Sequence, residues 1–172
     1  RMFRRSLVCH QEAALSGKPS MQTVASLYLS ANSRPEKLER PTGARPAVKY
    51  VSPDGSSLST DHPVTIEAFG YLDECWPRRV AFPALLKEAS RRAAASSPHR
   101  AKEADRDGQV LAANVLKAYS ISPMLVELHR HSPHLAISPS ERPVASRWAR
   151  WQIRQNSRSI CNLLHKRVLL DE

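Results

Sequence analysis

The chain has 172 residues, a formal net charge of +10 and 41% hydrophobic residues, so it can bury one sizeable core or two small ones. No apolar run approaches the roughly 18 residues of a membrane span, and no signal-peptide pattern opens the chain. The three cysteines are odd in number and far apart, which disfavours a disulfide framework and a zinc finger. We therefore expect a cytoplasmic protein with reduced thiols and no membrane partner.

The positive charge is concentrated at the two ends of the chain. Residues 1–60 carry nine basic and four acidic side chains, residues 61–141 carry ten of each, and residues 142–172 carry seven and two. No acidic residue occurs between Arg142 and Leu170. Such a stretch can bind phosphates or an acidic protein face, or it can be a solvated helix face.

Short apolar pieces separated by dense turn signals predict a β-rich segment over residues 1–60. Leu27 and Leu29 alternate as in a strand. Residues 48–51 and 57–59 flank a turn in which Gly55 takes the positive-φ position, which predicts a hairpin.

Hydrophobic periodicity changes at residue 61 and predicts three helices followed by a strand, a loop and a returning strand. Pro63 marks the first turn of the first helix. The helices are expected to bury Val64, Ala68 and Leu72 in the first, Leu85, Ala89 and Ala93 in the second, and Leu111, Val115, Ala118 and Tyr119 in the third. This order is typical of a winged-helix domain over residues 61–172, so the predicted fold class is α+β. The predicted helices are 63–76, 83–96 and about 109–120, the polar linker is 96–107, and the strands are 124–131 and 160–170.

The residues indicate neither a catalytic nor a cofactor site. The five glycines are never within ten residues of each other, so the Gly-rich strand-to-helix turn of a nucleotide or methyl-donor site is missing. His129, His131 and His134, with Glu127, form a ligand-like cluster, but polar residues on the wet side of a strand explain it better than a metal site. Asp61 and His62 are better explained as helix-capping residues than as a catalytic dyad.

The winged-helix pattern also suggests an alternative function, namely a free-standing nucleic-acid-binding domain. Its third helix would enter the major groove. Between Gly108 and Ser122, however, that helix offers Lys117 as its only basic residue. Nucleic acid is therefore a disfavoured partner.

Six segments, in order along the chain, together resemble the C-terminal part of bacterial S-adenosylmethionine-dependent methyltransferases with a methyltransferase regulatory domain, a group that includes protein-lysine methyltransferases. No one segment is diagnostic, and the collinear order carries the resemblance. The segments are RMFRRSLVCH (1–10), LSTDHP (58–63), WPR (76–78) with Phe82, LVELH (125–129), SERP (140–143) and NLLHK (162–166).

The resemblance implies a non-catalytic accessory region, serving regulation, association or substrate presentation. Residues 1–60 would be the end of a middle domain and residues 61–172 a winged-helix-like C-terminal domain. S-adenosylmethionine is implied only for a catalytic domain elsewhere in the same or a companion chain, and a protein is the implied substrate. The chain begins at Arg1 rather than Met, and we expect it to be a piece of a longer protein.

Two surfaces are candidates for contact with the catalytic domain or with a second copy in a homodimer. The first is the N-terminal segment, with Phe3 and Leu7 on one side. The second is the arginine- and tryptophan-rich stretch, because rigid aromatic area flanked by guanidinium groups is enriched at interfaces. Its candidate residues are Arg147, Trp148, Arg150, Trp151 and Arg154.

Overall fold

A computed structural model describes residues 10–14, 20–37, 47–96, 104–133, 138, 140–142, 144–164 and 167–170. Within these residues it shows helices and small antiparallel sheets, which confirms the predicted α+β class. The helices are α1 (Met21–Ala25), α2 (Pro63–Cys75), α3 (Phe82–Ser96), α4 (Ala104–Ile121) and α5 (Arg147–Arg154). The strands are β1 (Tyr28–Ser30), β2 (Arg34–Lys37), β3 (Val48–Val51), β4 (Ser57–Thr60), β5 (Val80–Ala81), β6 (Glu127–His129), β7 (Ser159–Cys161) and β8 (Arg167–Leu169).

The central strand of the first sheet is β1, which pairs antiparallel with β5 on one side and β6 on the other. Leu29 lies opposite Val80 in β5 and Leu128 in β6. Its side chain is fully buried. An N-terminal strand thereby joins two segments that are about fifty residues apart in the sequence.

The second sheet contains β2, β3 and β4 in chain order, and β3–β4 is the predicted hairpin. Gly55 adopts a φ of 81° in its turn, as the turn residues predict. Tyr50 of β3 is buried, and its ring packs against Phe69 of α2 with 5.3 Å between centroids. The hairpin is thereby attached to the first long helix.

The three long helices bury the faces that the periodicity predicts. Pro63 occupies the first turn of α2, and the cap is His62, whose Nδ1 accepts the backbone N–H of Thr65 at 3.3 Å. His62, one of the two residues expected to cap this helix, thus provides the cap. The buried residues of these helices include Val64, Ala68, Leu72, Leu85, Ala89, Ala93, Leu111, Val115 and Ala118.

Two details of the predicted helices were wrong. The expected linker over 96–107 overlaps the first turn of α4, which begins at Ala104. Tyr119, expected in the core, is 46% exposed, because it lies in the last turn of α4 beside a surface groove rather than under another element.

The strands after α4 also differ from the prediction. The strand predicted over 124–131 is only Glu127–His129, and the predicted single strand over 160–170 is two strands, β7 and β8, that pair with each other. Among the described strands β6 pairs with β1, so the place next to β6 that the prediction gave to a returning C-terminal strand is taken by an N-terminal one. Which of two strands pairs with β6 depends on contacts between residues that are distant in the sequence.

The buried residues on both sides of position 60 belong to one hydrophobic cluster, in which Tyr50 and Leu58 join Phe69 and Leu111. The predicted boundary between residues 60 and 61 coincides with the change from β4 to α2. The division into two domains at that point stays a prediction.

Asp54 in the β3–β4 turn positions the segment that leads into β6. The Ser122 hydroxyl donates to Asp54 Oδ2 at 2.7 Å and accepts the Met124 backbone N–H at 3.0 Å. Hydrogen bonds from Ser52 and then Ser122 hold the pKa of the Asp54 carboxyl well below its usual range. The turn after α4 is therefore tied to the hairpin.

Removing the Tyr50 hydroxyl tests the attachment of the hairpin to α2. Burial raises the Tyr50 pKa above its ordinary range, and its hydroxyl donates to the Ile66 carbonyl oxygen at 2.7 Å. We expect Tyr50→Phe to lower the free energy of unfolding in urea by about 1 kcal/mol. The control, Tyr119→Phe on the half-exposed side chain, should change it by less than about 0.5 kcal/mol. Equal losses in both variants would contradict the assignment.

Candidate functional site

An open groove of about 650 Å³ lies along β6 and the C-terminal end of α4. Its wall combines large apolar side chains with arginine, histidine and glutamate. A groove of this size can hold a ligand, and its mixed lining favours a partner that is part apolar and part charged. The lining residues are Arg79, Tyr119, Pro123, Met124, Glu127, Leu128, His129, Arg130, His131 and Leu164.

The apolar part of the groove is solvent-exposed although its side chains are large. Tyr119 is 46% exposed and Met124 is 54% exposed. Met124 is held there by the Ser122 hydrogen bonds, and Tyr119 by the last turn of α4. Leu164 reaches the same groove from the C-terminal part of the chain.

Arg79 is one of the two arginines that line the groove. One of its terminal nitrogens, Nη1, donates to the His131 carbonyl oxygen at 3.1 Å, and the Ser132 hydroxyl donates to the Arg79 carbonyl oxygen at 3.2 Å. These reciprocal bonds hold the segment before β5 against the segment after β6. Arg79 Nε is buried and has no hydrogen-bond partner in the part of the chain that the structure describes.

A serine, a histidine and a glutamate meet where β1 pairs with β6. His129 Nε2 lies 3.0 Å from Ser30 Oγ and 3.2 Å from Glu127 Oε2, and the Ser30 hydroxyl donates to the same carboxylate at 3.2 Å. A catalytic triad places the acid on one ring nitrogen and the nucleophile on the other. Here both contact Nε2 and Ser30 is buried, so the cluster is suited to orienting β6 rather than to catalysis.

A second cluster surrounds His62, the cap of α2. His62 Nε2 lies 3.1 Å from Asp107 Oδ1, and Nδ1 lies 2.9 Å from Thr65 Oγ1. The connectivity resembles a triad more closely, but Thr65 is fully buried and its hydroxyl oxygen also accepts the Asn114 amide N–H at 3.1 Å. The acidic partner of His62 in this cluster is Asp107 of α4, not the neighbouring Asp61 that we considered from the sequence.

The histidines singled out in the sequence do not form a described metal site. His129 and His131 both border the groove, while His134 lies outside the described residues. Within the described ranges no group of three histidine, cysteine, aspartate or glutamate side chains is arranged to hold a metal ion.

The arginine- and tryptophan-rich stretch forms helix α5, capped by the Ser146 hydroxyl, which accepts the Ala149 N–H at 3.1 Å. Trp148 and Trp151 stack with 4.7 Å between ring centroids and are 55% and 50% exposed. The predicted interface arginines Arg147, Arg150 and Arg154 are exposed on the same helix.

The role of α5 as an interface stays a prediction. Phe3 and Leu7, the other predicted interface residues, lie outside the described residues, so the structure does not relate them to α5. The groove residues Arg79, Tyr119 and Met124 were missed. The sequence signal nearest to the groove was the ligand-like cluster around His129. Arg79 lies about fifty residues before His129 in the sequence and reaches the groove only through the tertiary structure.

No family model matches the sequence, and no curated protein matches it. A solved structure of PKMT2 from Rickettsia typhi is similar, with a TM-score of 0.67 and 16% identity over 95% of this chain and 33% of that one. PKMT2 in complex with AdoHcy has a TM-score of 0.61 and 18% identity over 94% of this chain and 32% of that one. This chain shares its fold with a part of PKMT2. It spans about one third of the length of PKMT2, and at this identity the likeness concerns the fold alone.

No helix in the described part of the chain is long and apolar enough to cross a membrane. This finding agrees with the absence of a long apolar run in the sequence.

The protonation of His129 is a testable property of the β1–β6 cluster. Burial, followed by the positive charge of Arg79, lowers the His129 pKa below its ordinary value of 6.5, despite the opposing effect of Glu127. An NMR titration of the ring protons should give a midpoint below 6.5.

The same shift predicts a pH dependence of stability. Between the folded midpoint and 6.5 the unfolded state binds more protons, so the free energy of unfolding should fall as the pH drops through this window. We expect His129→Gln to reduce this slope in urea denaturation at pH 7.5 and 5.5. A wild-type midpoint at or above 6.5, or an unchanged slope in the variant, would contradict the assignment.

Proposed function

We propose that this chain is a non-catalytic accessory region of an S-adenosylmethionine-dependent methyltransferase that acts on protein. The region serves association, regulation or substrate presentation. The donor-binding domain lies in another part of the same protein or in a companion chain. The observation that carries the proposal is the fold similarity to PKMT2, which extends over 95% of this chain but only 33% of PKMT2.

The described residues do not form the parallel sheet of a Rossmann-like donor domain, which supports the proposed accessory role. Their sheets are antiparallel, whereas a Rossmann-like donor site lies at the carboxyl ends of parallel strands. The described glycines lie in a hairpin turn and inside two helices: Gly55, Gly70 and Gly108. None of them opens a helix directly after a strand, so no described turn provides the close backbone approach that a donor needs.

A protein substrate is proposed because PKMT2 is a protein lysine methyltransferase by name and because six segments of this sequence resemble that group. The cluster around His129 orients β6 and the cluster around His62 caps α2, so neither is assigned a role in methyl transfer. A cytoplasmic location agrees with this role and remains part of the proposal.

The winged-helix interpretation of the C-terminal part is also a proposal. Helices α2, α3 and α4 followed by β6 support it, with β1 in the place beside β6. The structure gives little support to nucleic-acid binding. Helix α4, which would be the reading helix, has two exposed basic side chains among the described residues, Arg106 and Lys117. Arg106 lies beside Asp107, which limits the positive field of that helix end.

Helix α5 is the proposed contact with the catalytic domain or with a second copy of the chain. A half-exposed, stacked tryptophan pair among arginines provides rigid apolar area at small entropic cost. Only Ala149 of this helix is buried, so most of its surface is available.

Titration calorimetry with S-adenosylmethionine tests the accessory role. We expect no heat of binding at micromolar donor, because the proposal assigns the donor site to another domain. A donor-binding methyltransferase serves as the positive control. A micromolar Kd for this chain alone would contradict the proposal, since it would place the donor site here.

Substitution of the tryptophans tests the α5 interface. We expect Trp148→Ala and Trp151→Ala to weaken self-association, or docking of a separately expressed catalytic domain, in sedimentation velocity. Each should change the free energy of unfolding by less than about 1 kcal/mol, because both rings are half-exposed.

The buried Phe69→Ala is the control for core packing and should cost about 3–5 kcal/mol. If the tryptophan variants lose comparable stability while assembly and docking are unchanged, α5 is ordinary core and not an interface.

A further inference from the structure

Helix α5 is fixed at its C-terminal end and along one face. The Ser157 N–H donates to the Gln152 carbonyl oxygen at 3.2 Å, and the Asn156 N–H donates to the Ile153 carbonyl oxygen at 2.9 Å. Asn156 has a φ of 56°, the left-handed conformation that ends many helices. The Gln152 side-chain oxygen accepts the Cys161 N–H at 2.9 Å, which joins α5 to β7. The opposite face of α5 is therefore presented on a defined surface.

That opposite face carries four exposed side chains, which we call the α5 stripe. Their spacing of i, i+3, i+4 and i+7 places them on one side of the helix, away from the buried Ala149 and from Gln152. Trp148 lies at the edge of the stripe and stacks on its tryptophan. The stripe consists of Arg147, Arg150, Trp151 and Arg154.

The positive charges of the stripe are unfavourable within α5 itself. Arg147 lies in the first turn, where the positive end of the helix dipole disfavours a cation. Arg150 and Arg154 are one turn apart, and like charges at this spacing destabilise a helix. No acidic residue occurs between Arg142 and Leu170, so no neighbour in the sequence offsets this repulsion. A partner that provides carboxylates would remove it.

Charge also separates the two partners of the proposed function. Two copies of α5 packed on each other would bring their arginines together. The whole chain has a net charge of +10, so a second copy is repelled at longer range as well. An acidic surface of a different protein is attracted instead.

The tryptophans favour a protein over other polyanions. Trp148 and Trp151 lie 4.7 Å apart between ring centroids, with 16° between their planes, so no space is left between them for a stacking base. In the stripe Trp151 lies among arginines, whereas a helix that lies on a membrane separates its apolar face from its basic face. Carboxylates around an apolar centre, as a protein surface can provide, match this arrangement.

We propose that the α5 stripe binds an acidic surface of another protein, which places carboxylates on Arg147, Arg150 and Arg154 and an apolar side chain against Trp151. This partner is not a second copy of the chain. The assignment of the acidic surface to the catalytic domain rests on the proposed function, whereas the binding of an acidic surface does not.

The test titrates ¹⁵N-labelled full chain with a helical peptide of about 18 residues, acetylated and amidated, with glutamates around two leucines on one face. We expect saturable shifts of the amides of residues 147–154. Added salt should weaken binding, because the paired charges are exposed. The same peptide with lysine in place of glutamate should not bind, and serine in place of leucine should weaken binding.

Matched variants test the named side chains. The double variant Arg150→Gln, Arg154→Gln should weaken the peptide about tenfold, as expected for losing two exposed ion pairs. Arg106→Gln, on an exposed arginine of α4, should change the affinity less than twofold. Trp151→Ala should weaken binding more than Ile153→Ala, a half-exposed side chain of α5 outside the stripe.

Charge reversal distinguishes a lost contact from a disturbed helix. The variant with Arg147→Glu, Arg150→Glu and Arg154→Glu should lose the glutamate peptide and bind the lysine peptide. Such a gain requires α5 to be folded. Sedimentation velocity should show the same oligomeric state for this variant and for the wild type, because the stripe does not bind a second copy.

Four results would overturn the proposal. They are no saturable binding, equal binding of the lysine peptide by the wild type, full affinity in the double arginine variant, or dissociation of a wild-type oligomer by charge reversal. Tighter binding of a DNA duplex or of anionic vesicles than of the glutamate peptide would overturn it as well. None of these results depends on donor binding, so failure here is distinguishable from failure of the accessory role.

Discussion

The double pairing of β1 is the interaction on which the rest of the structure depends. Three residues form the centre of a sheet whose outer strands, β5 and β6, are separated by two helices. Because Leu29 is fully buried and pairs on both sides, β1 connects the N-terminal part of the chain to the helical part. The same pairing brings Ser30 to Glu127 and His129.

The polar clusters show how similar residue sets differ in function according to geometry. Ser30, Glu127 and His129 meet at one ring nitrogen, and Thr65 is inaccessible beside His62. Both clusters satisfy polar groups in partly buried positions, as stable folds require. The first cluster therefore orients β6, and the second caps α2. The exposed features, by contrast, are the groove and α5, and both are suited to binding other molecules.

The proposed accessory role requires exposed surfaces more than reactive groups. Helix α5 offers stacked aromatic area with guanidinium groups, and the groove offers exposed apolar side chains together with arginine. The chain shares its fold with about one third of PKMT2. In the proposed function, α5 contacts the catalytic domain or a second copy of the chain.

Local chemistry in the sequence determined the elements that form within a few residues. Gly55 supplied the turn of the β3–β4 hairpin, Pro63 marked the start of α2, and the spacing of Leu85, Ala89 and Ala93 identified the buried face of α3. These signals are readable because turn geometry and helical periodicity depend on neighbours in the chain. The basic, aromatic character of α5 was visible for the same reason.

Tertiary structure alone decided which strands pair and which side chains remain exposed. The partner of β6 is about a hundred residues away in β1, and the predicted C-terminal partner forms its own hairpin instead. Tyr119 has a core-like position in the helical pattern, yet it is exposed in a groove that also needs Arg79 and Leu164 from distant segments. Periodicity shows that a side chain lies on an apolar face, but whether another element covers that face depends on contacts that no local pattern encodes.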